Sequence, residues 1–211
     1  MVHIYYHIYA IDGVESIIDE QLNLIKTHFD FPYILNVGIS IADNNISIDY
    51  IINKFEKIRD VRSKGNEFVT LDLIEKDKEK FSDSDYILYI HTKGASKQDN
   101  QNIIGWRHLM NYFNIEKVKN VFKLFEKTEF NTYGVHYISS NKNNGAHYSG
   151  NFWWIRSDYV KTINVERINK SNRFLAEVGY LCNGINWKPY SAFDPSSNLY
   201  VTEIKREEYA K

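Results

Sequence analysis

The first ninety residues alternate between two kinds of apolar pattern. Four short runs rich in β-branched and aromatic residues predict buried strands: Val2–Ala10, Tyr33–Ile41, Lys57–Val61 and Asp85–His91. Three intervening segments repeat apolar residues at helical spacing and predict helices: Glu15–Phe29, Asn45–Phe55 and Glu67–Phe81. Strands that alternate with helices call for a parallel sheet with right-handed crossovers.

The segment Glu67–Phe81 also fits a second pattern, because Thr70–Leu73 alternates as a strand does. Its apolar residues nevertheless share one helical stripe. The very polar stretch Glu75–Lys80 continues a helix better than a strand, so we predict a helix here.

The rest of the chain is less regular. Its predicted elements are a helical region Gln101–Lys127 broken at the N-cap residue Asn114, strands Asn131–Ile138 and Tyr148–Ile155, a helix Asn172–Asn183, and an irregular end with the charged tail Lys205–Lys211. The sequence has no internal repeat and no linker. We therefore predict one α/β domain over residues 1–211, with a central, mostly parallel mixed sheet flanked by helices.

The composition excludes several classes of protein. Hydrophobic residues at 43% and charged residues at 25% are far from a disordered composition. The single cysteine, Cys182, excludes an internal disulfide, fits a reducing compartment and lies in an apolar run that predicts burial. The first residues lack a leader pattern, and no apolar run approaches the ~18 residues of a membrane span. We expect a soluble, cytoplasmic protein.

Charge is distributed unevenly along the chain. Residues 1–100 contain 11 basic and 17 acidic residues, whereas residues 101–211 contain 15 basic and 10 acidic residues. Two interpretations remain open: two solvated faces, or a second half that meets an anionic partner such as a phosphate or a membrane surface. Nucleic acid is not an expected partner, because the sequence has no dense basic cluster.

Candidate chemistry follows the predicted strands, since ligands of parallel α/β sheets bind outside the carboxyl ends of the strands. The segments there are Tyr9–Asp12, Arg62–Asn66 and His91–Gly94. In the last one an imidazole, a hydroxyl, an ammonium and a glycine suit an anion such as a diphosphate. The alternative is that Lys93 is a solvated loop residue and His91 a satisfied histidine at a strand end.

Two later segments also carry candidate chemistry. Trp153 and Trp154 are adjacent in a predicted strand and point to opposite faces, so one can be core and the other a wall for a sugar ring. The preceding Ser149–Asn151 offers a compact polar edge, although the whole segment also fits simple packing. Glu177 lies near a predicted helix start, where it serves either the helix dipole or general-base catalysis.

These features together resemble the GT-A glycosyltransferases, over roughly residues 1–185. The resemblance rests on the element order, on Gly150-Asn151 before an acidic helix with Ala176-Glu177, and on His91-Thr92-Lys93 after the fourth strand. The family normally has an acidic metal-binding pair at that last position. The His-Thr-Lys form is similar to rhamnan-synthesis and related viral and bacterial transferases, including the N-terminal domains of large chlorella-virus enzymes of capsid glycan synthesis, in which further domains follow.

The resemblance implies transfer of a hexose or deoxyhexose from a UDP-sugar to a glycan or glycoprotein acceptor. Residues 1–100 would form the donor half, with Tyr9, Ala10, Asp12, Lys64, Gly65, Glu67, His91, Thr92, Lys93 and Gly94 as donor-binding residues. Residues 101–211 would form the acceptor half, with Trp106, Arg107, His147, Gly150, Asn151 and Trp153. Glu177 would be the catalytic base, and Mn²⁺ or Mg²⁺ the cofactor, with His91 as a ligand. The alternative is a non-catalytic module that binds a nucleotide-sugar or a glycan.

One motif departs from the family pattern. The literal Asp-x-Asp motif, Asp83-Ser84-Asp85, precedes the fourth strand. The strand separates Asp85 from His91 by ~20 Å, so the motif lies at the wrong end of the sheet for a donor site. We interpret it as a helix-to-strand turn.

Overall fold

A computed structural model describes residues 1–43, 46–63, 65–140, 145–168 and 179–210. The strands are β1 Val2–Ala10, β2 Tyr33–Ile41, β3 Ile58–Ser63, β4 Tyr86–His91, β5 Thr132–Gly134, β6 Tyr137–Ile138, β7 His147–Tyr148, β8 Trp153–Arg156 and β9 Pro189–Ser191. The helices are α1 Glu15–His28, α2 Asp49–Lys54, α3 Phe68–Asp77, α4 Gln101–Asn111, α5 Val118–Lys127, α6 Ser157–Val160 and α7 Arg206–Tyr209.

Within the described residues, seven strands form one sheet in the order β3-β2-β1-β4-β8-β5-β9. The first four are mutually parallel, and β9 is parallel to β5. Only β8 runs antiparallel to its neighbours β4 and β5. The predicted α/β class, with a mostly parallel mixed sheet, is confirmed. A separate antiparallel pair joins β6 to β7.

Helices cover the two faces of the sheet, and each face has its own core. On one face α1, α4 and α5 pack over residues such as Ile4, Tyr6 and Trp154. On the other face α3 packs over residues such as Tyr5 and Trp153. The two adjacent tryptophans therefore do point to opposite faces, as the period of a strand requires.

Strong local patterns predicted their elements correctly. The strands β1 and β2 have the predicted bounds, although Tyr33 and Ile34 at the start of β2 are exposed. The ambiguous segment is the helix α3, followed by a 3₁₀ turn at Lys78–Lys80. Helix was the better choice because α3 buries its apolar stripe against three parallel strands.

The region 101–127 breaks differently from the prediction. A π-helical turn, Tyr112–Glu116, joins α4 to α5, and Asn114 caps neither helix. Asn114 is fully buried, its Nδ2 donates to the Met110 carbonyl, and its own carbonyl accepts from Trp154 Nε1 at 2.8 Å. These buried partners, which lie outside the local sequence pattern, hold the widened turn.

Further predictions change. The predicted strand Asn131–Ile138 is two strands, β5 and β6, which belong to different sheets. The predicted strand Tyr148–Ile155 is two strands, β7 and β8, with a turn between them. The irregular end contains β9 and α7. Residues 172–178 of the predicted helix Asn172–Asn183 lie outside the described residues. At its end, Leu181–Asn183 is a 3₁₀ turn.

Two further observations concern the predicted burial of Cys182 and the predicted lack of a membrane span. Cys182 is half-buried, and burial raises the pKa of its thiol. Across the described part of the chain, no helix has both the length and the apolar character needed to cross a bilayer.

Candidate functional site

The sheet has a topological switch point between β1 and β4. From β1 the chain goes to β2 and β3 on one side, whereas β4 lies on the other side of β1. In open α/β sheets, ligands bind in the crevice outside the carboxyl ends of the strands at such a point. The segments that leave β1 and β4 here are Tyr9–Asp12 and His91–Gly94, and His7 pairs with His91 in register.

Thr92 joins these two segments. Its Oγ1 accepts from the Tyr9 amide at 2.9 Å, and its own amide donates to the His7 carbonyl at 3.1 Å. Thr92 is buried, as is Ala10, whereas Tyr9 is half-buried and Asp12 is exposed. The hydrogen bonds of Thr92 therefore join the ends of β1 and β4.

Two buried side chains brace the loop His91–Gly94 from the helices behind it. Gln21 of α1 donates through Nε2 to the His91 carbonyl at 3.2 Å. Arg107 of α4 donates through Nη1 to the Lys93 carbonyl at 3.2 Å, and its Nη2 donates to Glu20 at 2.9 Å. Arg107, expected on the acceptor side, is instead a buried support of this loop, because its ion pair with Glu20 draws the guanidinium inward.

Glu20 is the acidic centre of this brace. Burial raises the pKa of its carboxyl, but hydrogen bonds from His108 and Arg107 outweigh that effect and lower it to about 2. Asn111 donates a further hydrogen bond to Glu20 at 2.7 Å. The carboxylate therefore keeps its charge near neutral pH and holds Arg107 in place.

Sequence reasoning missed Glu20, Gln21 and Asn111. Gln21 is fully buried on the same face of α1 as Ile17, Ile18 and Ile25. A polar residue within an apolar helical stripe is a signal that could have identified it, because such a residue needs a buried partner.

The end of the loop requires a glycine. Gly94 has φ +86°, and a Cβ at this position would lie 2.7 Å from Ile103 Cγ2. Any side chain would therefore push the loop away from α4. The glycine serves close packing of the chain on itself, which is a different role from the predicted approach of a ligand.

Lys93 and Trp106 form a cation–π pair at the crevice. The Lys93 ammonium lies 4.0 Å from the centre of the Trp106 ring and 5.9 Å from that of Tyr200. Trp106 is fully buried, whereas Tyr200 is 53% exposed. Trp106, expected to face an acceptor, is therefore a platform beneath Lys93, and Tyr200 is the aromatic side chain that solvent reaches.

Glu67, His91 and Asn151 connect three separate segments. Glu67 precedes α3, and its Oε2 accepts from Tyr89 Oη at 2.7 Å and from Asn151 Nδ2 at 2.6 Å. His91 Nε2 donates to the Gly150 carbonyl at 2.8 Å and lies 4.0 Å from Glu67 Oε1. Both side chains are 12% exposed. The cluster places an acidic and a basic group side by side at the carboxyl edge of β4.

The turn between β7 and β8, residues 149–152, is what separates the two strands. Gly150 and Asn151 have φ of +92° and +59°, a conformation that a regular strand does not allow. Asn151 is held on both sides, since its Oδ1 accepts from Trp153 Nε1 at 2.9 Å and its Nδ2 donates to Glu67. The polar edge that the sequence predicted is present as a turn directed at His91.

Trp153 does not form the expected sugar wall. It is fully buried and stacks on Tyr89 and Tyr180 at ring distances of 4.9 and 5.9 Å. Trp154 is fully buried on the other face. Both tryptophans are core residues because helices and loops cover both faces of β8.

The remaining predicted residues contribute less to the crevice. His147 is buried, and its Nδ1 donates to the Gly145 carbonyl at 2.8 Å. Gly65 packs against Val69 and Ser40. Lys64 and Glu177 lie outside the described residues. Their predicted roles as donor-binding residue and catalytic base are therefore carried forward as predictions.

The described residues do not fit a metal centre. His91 Nε2 bonds to a carbonyl, which can only accept, so this nitrogen carries a proton and has no lone pair for a metal. The part of the chain that the structure describes contains no group of three His, Cys, Asp or Glu side chains placed to hold an ion. Nε2 of His91 therefore does not serve as a ligand in this arrangement, and the predicted Mn²⁺ or Mg²⁺ with His91 as a ligand stays a prediction.

The Asp-x-Asp motif is a turn, as predicted. Asp85 accepts from the amino-terminal ammonium at 2.8 Å and from the Ser82 amide at 2.9 Å, and it lies 3.3 Å from His3 Nε2. These contacts are at the amino ends of β1 and β4, on the opposite edge of the sheet from His91.

Comparison with known proteins gives one family. Residues 3–173 match the family model described as a domain of unknown function (DUF8361). No curated protein matches the chain.

Proposed function

We propose that this chain, which belongs to the DUF8361 family, is a glycosyltransferase domain that takes a hexose or deoxyhexose from a UDP-sugar. The acceptor is a hydroxyl of a glycan. The observation that carries the proposal is the meeting of Tyr9–Asp12 and His91–Gly94 at the switch point between β1 and β4. The resemblance to GT-A transferases supplies the donor class, and the position of these segments supports it.

Lys93 is the cation we assign to the donor's diphosphate. A leaving diphosphate gains negative charge in the transition state and needs a positive partner. The cation–π contact with Trp106 is worth about 0.5–2 kcal/mol, whereas a hydrogen bond to a charged group is worth about 1.5–3 kcal/mol. The larger value favours transfer of the ammonium from the ring to the phosphate when donor binds.

The acceptor side is assigned to the 149–152 turn, which contacts the predicted donor-binding residues Glu67 and His91. Glu67 and His91 both bond to this turn, so the turn, the start of α3 and the end of β4 keep a fixed relation. A fixed relation of this kind is what positioning a sugar hydroxyl beside a leaving group requires. Proton removal from the hydroxyl is assigned to Glu177 on the basis of the resemblance.

The charge of the leaving diphosphate is assigned to Lys93 and not to a metal, because the described residues do not fit a metal site. The cofactor Mn²⁺ or Mg²⁺ remains a prediction, and the experiment below tests it. Cytoplasmic location remains part of the proposal, in accord with the single cysteine, and so does contact of the more basic second half with an anionic surface.

The test combines nucleotide binding with turnover. UDP should raise the melting temperature more than GDP or CDP does, since ligand that binds the folded state stabilises it. Scans with and without Mn²⁺ test the predicted cofactor separately. A panel of UDP-sugars with a glycan acceptor should release free UDP. Equal responses to all three nucleotides would refute the proposal. A UDP response with no turnover on any donor would favour the binding module instead.

A further inference from the structure

A second cavity lies on the α3 face of the sheet, near the amino ends of the strands. It has a volume of about 330 Å³ and lies between β1, β2, β3 and the end of α3. Tyr5 of β1 lines it, four residues before Tyr9, and four strand residues span ~13 Å. The cavity is therefore separate from the crevice at the carboxyl edge.

Asn36, which lines this cavity, has a buried side-chain donor without a partner in the described part of the chain. It is only 4% exposed, and its Oδ1 accepts from Arg59 Nη1 at 2.6 Å. A guanidinium only donates, so this contact fixes the amide with oxygen toward Arg59. Its Nδ2 has no hydrogen-bond partner among the described residues. A buried donor without a partner costs about 1–3 kcal/mol, so its presence points to an acceptor from outside the chain.

The acceptors inside the cavity are already used. Asp77 accepts from Tyr5 Oη at 2.9 Å, from Lys80 Nζ at 2.9 Å and from both terminal nitrogens of Arg59. Burial raises the pKa of Asp77, but hydrogen bonds from Arg59, Lys80 and Tyr5 lower it to about 2. The carboxylate is therefore ionised and saturated with donors near neutral pH.

The cavity also has excess positive charge. Among the described residues that line it, Lys57, Arg59 and Lys80 are cations, and Asp77 is the one carboxylate. Lys57 is exposed, and within the described part of the chain no hydrogen bond or ion pair engages its ammonium. His3, also on the wall, has a pKa lowered by burial and adds an uncharged ring near pH 7.

We propose that this cavity binds a small oxyanion of the phosphate class. Such a group brings acceptors without donors, which matches a cavity with surplus donors, surplus positive charge and an unpaired amide N–H. The volume admits a phosphate together with a small attached group. The site is distinct from the diphosphate position proposed at Lys93, so it provides a second anion subsite on the same sheet.

Titration with inorganic phosphate, in a buffer free of other oxyanions, tests the site. The side-chain amide signals of Asn36 in an ¹H–¹⁵N spectrum should shift and saturate, and calorimetry should give the affinity. Lys57→Ala should weaken phosphate binding about tenfold, as expected for the loss of one charged contact. Lys123→Ala, the same charge change at an exposed position on α5, should leave the affinity unchanged.

Asn36→Asp provides the sharper variant. It keeps the size and the acceptor for Arg59 but replaces the unpaired N–H with a charged oxygen, so phosphate binding should be lost while the protein stays folded. Unmoved Asn36 signals at millimolar phosphate would overturn the proposal. Equal losses in Lys57→Ala and Lys123→Ala would do so too, since they would indicate only general surface charge. Loss of phosphate binding in Lys93→Ala with none in Lys57→Ala would place the anion in the other crevice.

Discussion

At the scale of single residues, most polar side chains of the carboxyl edge hold backbone in place. Thr92 accepts from the Tyr9 amide, Gln21 and Arg107 donate to loop carbonyls, and His91 donates to the Gly150 carbonyl. Lys93 differs, because its ammonium lies over an aromatic ring at the crevice. Lys93 is therefore the residue whose substitution best separates an effect on ligand binding from an effect on folding stability.

Lys93→Ala should weaken UDP binding by about 1.5–3 kcal/mol, roughly 10- to 150-fold, because one charged contact to the diphosphate is lost. Loss of the cation–π contact should lower stability by about 0.5–2 kcal/mol. Calorimetric titration with UDP measures the first effect and urea unfolding the second. Lys97→Ala, at an exposed position in the turn that follows this loop, is the matched control. Similar UDP affinity in both variants would remove Lys93 from the donor site.

Glu177→Gln should lower turnover by ~10²–10⁴ and leave UDP affinity nearly intact, because the amide keeps the size but not the basicity of the carboxylate. Steady-state release of UDP in the presence of acceptor measures the effect. Glu166→Gln controls for the loss of a charge, because Glu166 is exposed in the turn Val165–Arg167, earlier in the chain. A Glu177→Gln enzyme that melts slightly earlier but works at the normal rate would indicate a helix-dipole role.

At the scale of elements, the 149–152 turn determines the second half of the site. It interrupts what would otherwise be one long strand and directs a backbone carbonyl and an amide side chain toward His91 and Glu67. Its left-handed backbone at Gly150 is the reason it can do so. The element therefore depends on a residue without a side chain.

Gly150→Ala should destabilise the protein by about 2–4 kcal/mol, from backbone strain together with overpacking. A Cβ there would meet the Met110 sulfur and lie 2.8 Å from Trp106 Nε1. Urea unfolding measures the loss. Ser149→Ala, next to it with an ordinary φ, should cost less than 1 kcal/mol. Equal stability of Gly150→Ala and the native protein would mean that the turn adapts, contrary to the observed packing.

At the scale of the whole molecule, partly buried ion pairs join distant parts of the chain at both edges of the sheet. Glu20 pairs with Arg107 at the carboxyl edge, and Asp77 pairs with Arg59 at the amino edge. Both carboxyl groups have a pKa of about 2, against ordinary values of 4.5 and 3.8. Their contribution to stability therefore depends on pH.

Because folding lowers both pKa values, the unfolded chain binds protons first as pH falls. The stabilisation is complete above about pH 5 and disappears progressively toward pH 2. Urea unfolding at pH 7, 5, 4 and 3 should therefore show falling stability, and Glu20→Gln should be less stable at pH 7 yet show a shallower decline. Glu126→Gln, on the exposed side of α5, should keep the native slope. An unchanged slope in Glu20→Gln would contradict the assigned pKa.

The amino-acid sequence by itself determined the elements whose signal is local. The bounds of β1 and β2, the helical choice for α3 and the parallel alternation of the first ninety residues follow from apolar period and length. The same rules placed Tyr9–Asp12, Arg62–Asn66 and His91–Gly94 at one edge of the sheet, because parallel strands bring their carboxyl ends together. That β1 and β4 are adjacent there was decided by the strand order of the folded protein. The Asp-x-Asp turn was assigned to the opposite edge by strand length alone.

Only the tertiary structure decided which distant partners the polar and aromatic side chains have. Arg107 turns inward because Glu20, 87 residues away along the chain, accepts its hydrogen bonds. Trp153 is buried because Tyr89 and Tyr180 stack on it. Asn114 is held in the π-helical turn because its carbonyl accepts a hydrogen bond from Trp154 Nε1. The orphaned Nδ2 of Asn36 follows from Arg59, which takes the oxygen of the amide. In each case the partner is distant in sequence, and apolar period carries no information about pairing between distant polar groups.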